Sequence, residues 1–254
     1  MKIEGRVIFS GHISGEILKF PGNFSFLGGV DPKTGIVKGI NKSIKDKIFV
    51  FDSSAGSTVG SYIIYGLMFY GNAPKAIICR KADETVVTGS VLAKIPTVEQ
   101  VPVEIFQDGD FVELNGSELI VNVEPTEVVT SIIRHRDKIL ILRRSDKVST
   151  YQGKWAGVSG YKEDLPPLEA AKKEIGEEIN EKNPRLIKAG GFIYLRDGKR
   201  LWKIHIFLWE IDKENIIIDW EHTTYKWIKP EEIKNFETVP GLKDVVEILL
   251  EMKI

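Results

Sequence analysis

The sequence predicts two mixed α/β domains joined near residue 125, and three observations carry that expectation. The chain has 254 residues, longer than one ordinary domain of about 100–150 residues. All five tryptophans (Trp155, Trp202, Trp209, Trp220, Trp227) fall in the second half, so the two halves look unrelated. The segment Asn122-Val123-Glu124-Pro125-Thr126 is short, polar and proline-bearing, and it separates two apolar-alternating runs. The domains are therefore expected at 1–124 and 125–254, with no internal repeat.

In the first half, Lys47-Ile48-Phe49-Val50-Phe51 reads as a buried strand running into the Ser/Gly-rich turn Asp52–Ser61. A helix over Tyr62–Tyr70, stopped by Gly71-Asn72, and a strand at Ala76–Cys79 complete a βαβ unit. Further strands are expected at Val101–Ile105 and Phe111–Leu114. The second half opens with Val128–His135 and Lys138–Arg143, a hairpin turning at Arg136-Asp137. A glycine-bearing loop follows, then a helix from about Pro166 to Ile179. Strands around Lys188–Leu195 and Leu201–Ile211 and a last helix from about Gly241 to Glu251 close the plan. On that last strand Trp202 and Trp209, an odd number of residues apart, point to opposite faces. One is expected in the core and the other at an interface or a substrate.

Composition excludes several classes. A hydrophobic fraction of 43% and a charged fraction of 28% are ordinary for a packed globular protein and rule out wholesale disorder. The formal net charge of −1 gives no global reason to expect nucleic acid or an anionic membrane as partner. Cys79 is the single cysteine, so neither an intrachain disulfide nor a cluster held by several cysteines of this chain is possible. Met1-Lys2-Ile3-Glu4-Gly5 shows no apolar leader, and no apolar run approaches the ~18 residues that span a bilayer. A cytoplasmic protein is expected.

The most specific chemical signal is Lys172-Lys173-Glu174-Ile175-Gly176-Glu177-Glu178-Ile179-Asn180. Glu174, Glu177 and Glu178 stand at i, i+3 and i+4 and share one helical face, while Leu168, Ala171, Ile175 and Ile179 form a separate apolar stripe. Three like charges on one face repel unless a cation neutralises them, and Mg²⁺ takes carboxylate oxygens together with phosphate oxygens. A solvated acidic face is the plain alternative. With Gly160 upstream, this segment resembles the box of the Nudix hydrolases: Gly160, Glu174, Ile175, Glu177 and Glu178 match it. Lys173 stands where the box has arginine, and Asn180 where it ends in glycine. Trp220–Glu232 also resembles that family's closing strand and helix start. The resemblance implies an α/β/α sandwich over about residues 126–254 and Mg²⁺-dependent hydrolysis of a diphosphate. Glu174, Glu177, Glu178 and the Gly160 carbonyl would hold the metal, with Glu174 also catalytic. Lys173 would orient Glu174 or meet substrate, and Glu221 is the candidate general base. Arg143 and Arg144 are candidates for phosphate contact.

In the first half, the turn Gly56-Ser57-Thr58-Val59-Gly60 places backbone N–H groups and hydroxyls before a helix, where a phosphate or carboxylate is well received. It lacks the Gly-Lys-Ser/Thr ending of a P-loop, and none of the four histidines sits in a nucleophile context. Turn geometry and helix capping account for Ser57, Thr58 and Gly60 about as well as chemistry does. Ser25–Gly35, Gly56–Tyr62 and Ala73–Ile78, in that order, are similar to the small subunits of archaeal phosphomevalonate dehydratases, the swivelling domain of the aconitase X group. That resemblance covers about residues 1–122. It implies that Ser57 is a catalytic base, that Gly56, Thr58 and Gly60 bind substrate, and that an iron–sulfur cluster is brought by a separate large subunit. Together the two resemblances suggest a fusion of a dehydratase small subunit with a diphosphohydrolase. The competing expectation is a hydrolase whose N-terminal domain is a non-catalytic docking module.

Overall fold

The computed structural model describes residues 1–253, and the chain divides into two compact units, Met1–Glu124 and a second that opens at Pro125. In the first, the elements run β1 (Lys2–Glu4), β2 (Arg6–Phe9), β3 (His12–Lys19), the single turn α1 (Phe26–Gly29), β4 (Ile36–Val37), β5 (Lys42–Ser43), β6 (Ile48–Ser53), α2 (Gly60–Phe69), β7 (Ala76–Lys81), α3 (Glu84–Ala93), β8 (Thr97–Glu99), β9 (Phe111–Asn115) and β10 (Glu118–Val121). Eight of the strands form a mixed sheet in the order β1-β10-β9-β3-β6-β7-β8-β2, and β4 and β5 pair separately. Strand β6 lies parallel to both β3 and β7, and Ile48, Phe49, Val50 and Phe51 are all buried. That is why the segment reads as a continuous apolar run rather than an alternating one. Phe24, Phe26, Phe49 and Phe51 meet at angles from tilted to edge-on, arrangements that aromatic rings favour. They fix the base of the turn after β6.

One expectation here is corrected. Val101–Ile105 is not a strand: Val103–Ile105 is a 3₁₀ turn preceded by Pro102, whose missing N–H cannot enter a ladder. The neighbouring strand is Thr97–Glu99 instead. Helix α3 is an element that the sequence pattern does not predict. Its N-terminus is capped by the Asp83 carboxylate, which accepts the Val86 N–H at 3.0 Å. It packs so tightly on α2 that a Cβ at Gly89 would collide with Ile64.

The second unit runs β11 (Pro125–His135), β12 (Lys138–Arg144), β13 (Trp155–Ala156), β14 (Val158–Tyr161), α4 (Pro167–Ile179), β15 (Arg185–Asp197), β16 (Arg200–Glu210), β17 (His222–Ile228) and α5 (Leu242–Leu250). Its sheet order is β13-β12-β11-β16-β15, with β14 also paired to β11 and β17 to β12. The sheet carries a core on each face. One gathers Ala171, Ile175, Ile179 and Trp209 under α4; the other gathers Trp202, Ile204, Val245 and Leu249 under α5. The unit is therefore an α/β/α sandwich. The two tryptophans do point to opposite faces, and both are largely buried: Trp209 is sealed, and Trp202 keeps 8% exposure at a cavity wall.

Helix α4 follows from its sequence. Pro166 and Pro167 start it, and the apolar stripe at 171, 175 and 179 faces the sheet. Each fully buried Ile there contributes about 1.5–3 kcal/mol. Asn180 ends the helix in the left-handed region at φ 51°, a conformation asparagine tolerates better than most residues.

Candidate functional site

The carboxylate-bearing face of α4 is not uniform. Glu178 is 3% exposed, Glu174 is half-buried, and Glu177 lies in solvent. One Glu178 oxygen accepts the Ser159 backbone N–H at 3.0 Å, which ties the helix to β14. The other is buried with no hydrogen-bond partner and lies 3.6 Å from His222 Nε2. His222 is buried in turn, and its Nδ1 sits 2.9 Å from Asp219 Oδ1. Burial lowers the His222 pKa against the pull of Asp219. A neutral ring donating from Nδ1 to Asp219 therefore leaves an Nε2 lone pair facing Glu178.

Glu174 lies against Gly160: a Cβ at that glycine would overlap its carboxyl group. Only glycine leaves that space. Burial first, and then the charge of Glu177, push the Glu174 carboxyl up to about 7. Burial likewise drives Glu178 well above the ordinary carboxylate range, opposed by the Ser159 N–H and reinforced by Glu174, Asp219 and Glu221. The Glu221 charge is felt by both helical carboxylates, so the fold brings that loop acid to the cluster.

Lys173 goes elsewhere. Its ammonium hydrogen-bonds Glu163 at 3.2 Å and lies 3.9 Å from Glu177, and no bond to Glu174 is formed. Arg143 donates to the Gly153 carbonyl and Arg144 to the Thr150 carbonyl. Among the described residues no group of three or more His, Cys, Asp or Glu forms a ready-made metal cage. The donor set nonetheless suits a hard divalent cation, because Glu178 presents a buried oxygen without a partner beside a carboxylate already strained by its neighbours. His222, Asp219 and the Ser159 amide escaped the sequence reading. Their only signal was the position of His222 directly after Glu221.

Beside this cluster lies a cavity of about 130 Å³. Ser159 and Gly160 form part of its wall, with Arg144, Tyr161, Trp202 and Ile204 among the rest.

In the first unit, the turn Gly56–Val59 is exposed and Gly60 is buried. The Ser57 carbonyl accepts the Gly60 N–H at 2.8 Å and the Thr85 hydroxyl at 3.1 Å. These bonds fix the backbone and leave the Ser57 side chain outside. Val59 occupies the cap position of α2, which has no side-chain cap bond, so capping does not account for Ser57 and Thr58. Gly60 packs closely enough on Thr85 that a Cβ would collide with it. The turn thus sits between the Phe24–Leu27 segment, whose Phe24 carbonyl receives the Ala55 N–H, and the start of α3. Helix α2 then exposes Tyr62, Tyr65 and Phe69, an aromatic face following the turn. Cys79 is buried in β7, and burial pushes its thiol up to about 12.

Comparison with known proteins follows the same division. The family model described as Aconitase X swivel domain matches residues 2–123, and the one described as NUDIX domain matches residues 125–248. The phosphomevalonate dehydratase small subunit of Thermococcus sibiricus is 42% identical over 129 residues, 49% of this chain and 99% of that protein. The namesake from Methanosarcina acetivorans is 47% identical over 126 residues, 46% of this chain and 88% of that protein. Among solved structures, aconitase X of Thermococcus kodakaraensis in its holo-form shares 42% identity over 48% of this chain and 98% of that one, with a TM-score of 0.45. A MutT protein from Methanosarcina mazei shares 23% over 50% of this chain and 94% of that one, with a TM-score of 0.43.

The class defined by the second half is thus a Nudix domain, and that of the first half an aconitase swivel domain. The chain belongs, through residues 2–123, to the aconitase X swivel-domain family that includes the phosphomevalonate dehydratase small subunits, and carries a Nudix domain through residues 125–248. No helix among the described residues is long and apolar enough to cross a membrane.

Proposed function

We propose that the chain joins two activities: the small subunit of a phosphomevalonate dehydratase, completed by a separate large subunit, and a Mg²⁺-dependent diphosphohydrolase. The observation that carries the second is the carboxylate cluster at β14, where Glu174 lies on Gly160 and Glu178 is held by the Ser159 amide. Glu174 and Glu178 would hold the cation, with Glu177 and the Gly160 carbonyl completing the set. When bound, the cation neutralises diphosphate oxygens and acidifies water. The chain's own residues do the rest. The Ser159 amide holds Glu178 in place, as outer partners of metal-ligating carboxylates do. Glu221 takes the proton of the attacking water, and Lys173, paired with Glu163, stands beside Glu177 as a positive charge at the edge of the cluster. Phosphate release from a panel of diphosphates tests this reading; Mg²⁺-independent release would refute it.

For the first half, 42–47% identity to small subunits over nearly their full length supports the dehydratase reading. Ser57 acts as the base, Gly56, Thr58 and Gly60 line the substrate, and the iron–sulfur cluster comes with the large subunit. The buried thiol of Cys79 offers no ligand for one. The exposed Tyr62, Tyr65 and Phe69 are the surface on which the partner seats. The same aromatic face also suits a docking module without chemistry. Ser57→Ala decides between them: dehydration by the reconstituted pair is lost in the first case and kept in the second.

A further inference from the structure

We infer that Asp83 is the positioning residue of the dehydratase half: its second carboxylate oxygen receives the Ser57 hydroxyl proton and so turns the Ser57 lone pairs toward the substrate. This rests on the small-subunit reading and adds the group through which the serine works. The observation behind it is a niche over Gly56, the residue before Ser57. The three atoms nearest to the point where a Cβ would stand there are all side-chain oxygens: Asp83 Oδ2 at 3.6 Å, Ser25 Oγ at 3.8 Å and Thr85 Oγ1 at 3.8 Å. These are ordinary contact distances, and Gly56 does not lie in the left-handed region. Neither crowding nor backbone geometry therefore requires a glycine at this position, and the space over it stands open.

The protons around the niche are already committed. The Thr85 hydroxyl donates to the Ser57 carbonyl at 3.1 Å, and the Ser25 hydroxyl donates to the Leu27 carbonyl at 3.2 Å. A hydroxyl carries one proton, so both present lone pairs to the niche. Asp83 Oδ1 accepts the Val86 N–H at 3.0 Å, and Oδ2, an acceptor only, is the oxygen that faces Gly56. Three acceptors without a donor call for a donor, and they turn a phosphate or carboxylate away. The hydroxyl of the very next residue, Ser57, is such a donor. Consecutive Cα atoms stand about 3.8 Å apart, and the bond from Thr85 to the Ser57 carbonyl ties this serine to the first turn of α3, which Asp83 caps. Contact is then direct or through one water.

A serine hydroxyl is a weak base unless an adjacent base relieves it of its own proton. With Asp83 the step balances. Ser57 Oγ takes the proton from carbon as its own proton passes to Asp83 Oδ2. The C–H electron pair becomes the second bond of the alkene, and the neighbouring C–O bond breaks with its pair, releasing hydroxide. The proton on Asp83 then joins that hydroxide as water, with no external oxidant or reductant. Asp83 supplies no positive charge, so the Lewis acid that receives the hydroxide still comes with the large subunit.

The test uses the full chain reconstituted with saturating large subunit, with phosphomevalonate as substrate. Asp83→Asn keeps the helix cap, since asparagine caps about as well as aspartate, and removes the proton acceptor. The expected result is a fall in kcat of about tenfold or more, with KM and the affinity for the large subunit within threefold of the parent. A substrate deuterated at the carbon that loses its proton should show a larger isotope effect on kcat in this variant, which a purely structural role for Asp83 would not produce. Gly56→Ala leaves Asp83 and the cap in place and fills the niche with a methyl group at ordinary contact distance. Its kcat should fall by a similar factor, and the double variant should lose no more than the worse single one, as residues that act as a unit do. A reconstituted parent that does not dehydrate overturns the small-subunit reading and the inference with it. A parent that does, beside an Asp83→Asn variant whose kcat stays within twofold of it, overturns the inference alone. So does a loss confined to KM or to affinity, which would assign Asp83 to docking of substrate or partner.

Discussion

The two halves keep their chemistry in opposite ways. In the second, the charged groups are gathered and partly buried: Glu174 and Glu178 sit against β14, backed by His222 and Asp219. In the first, the candidate base is a serine on an exposed turn, with hydrogen bonds to its carbonyl. A site that stores its own electrostatic strain is equipped to bind a cation and act alone. One that presents a rigid backbone and a hydroxyl must receive the rest of its electrostatics from a partner.

The largest effects should separate the halves cleanly. Glu178→Gln removes a ligand charge and should lower phosphate release by about 10²–10⁴-fold, with dehydration by the reconstituted pair untouched. Ser57→Ala should do the reverse, abolishing dehydration while phosphate release stays within twofold of the parent. Loss of both activities in either variant would break the comparison. Next in size, Phe69→Glu places a charge on the exposed aromatic face and should weaken association with the large subunit by at least tenfold, at a cost of about 1.4 kcal/mol or more. Co-purification and titration by calorimetry read this directly.

The smallest effect concerns pH. The Glu174 pKa in the folded chain, about 7, lies above the ordinary value of 4.5. Between those values the folded state holds the proton more tightly than the unfolded one, so stability falls as pH rises from about 4.5 through 7. Glu178, also raised, adds to the same slope. The metal-free protein should therefore melt a few degrees lower at pH 8 than at pH 5.5, Mg²⁺ should recover part of that difference, and Glu174→Gln should flatten the profile. A melting temperature that rises with pH over this range would contradict the assignment.

Much of this was legible because it is local. The i, i+3, i+4 spacing of Glu174, Glu177 and Glu178 needs only helical geometry, and the apolar stripe through Ile175 and Ile179 fixes which face turns outward. Spacing did not show that Glu177 stays in solvent while Glu178 is sealed, because the difference comes from β14 and from His222, distant in sequence. Lys173, a candidate to orient Glu174 or to meet substrate, bonds Glu163 in the structure, a pairing set by the loop before the helix. Helix α3 was hidden by Thr85-Val86-Val87-Thr88, a β-branched run with weak helix propensity. It is helical because Gly89 allows close packing on Ile64 and Asp83 caps it. Val101–Ile105 misled in the other direction: its apolar alternation is genuine, but Pro102 keeps it out of the sheet.

The most direct test measures dehydration and phosphate release on one preparation of the full chain, before and after adding the large subunit. Phosphate release should require Mg²⁺, vanish with a chelator and be present without the partner, whereas dehydration should be absent until the partner is added. Dehydration by the chain alone, or phosphate release that appears only with the large subunit, would contradict the division of labour between the two halves.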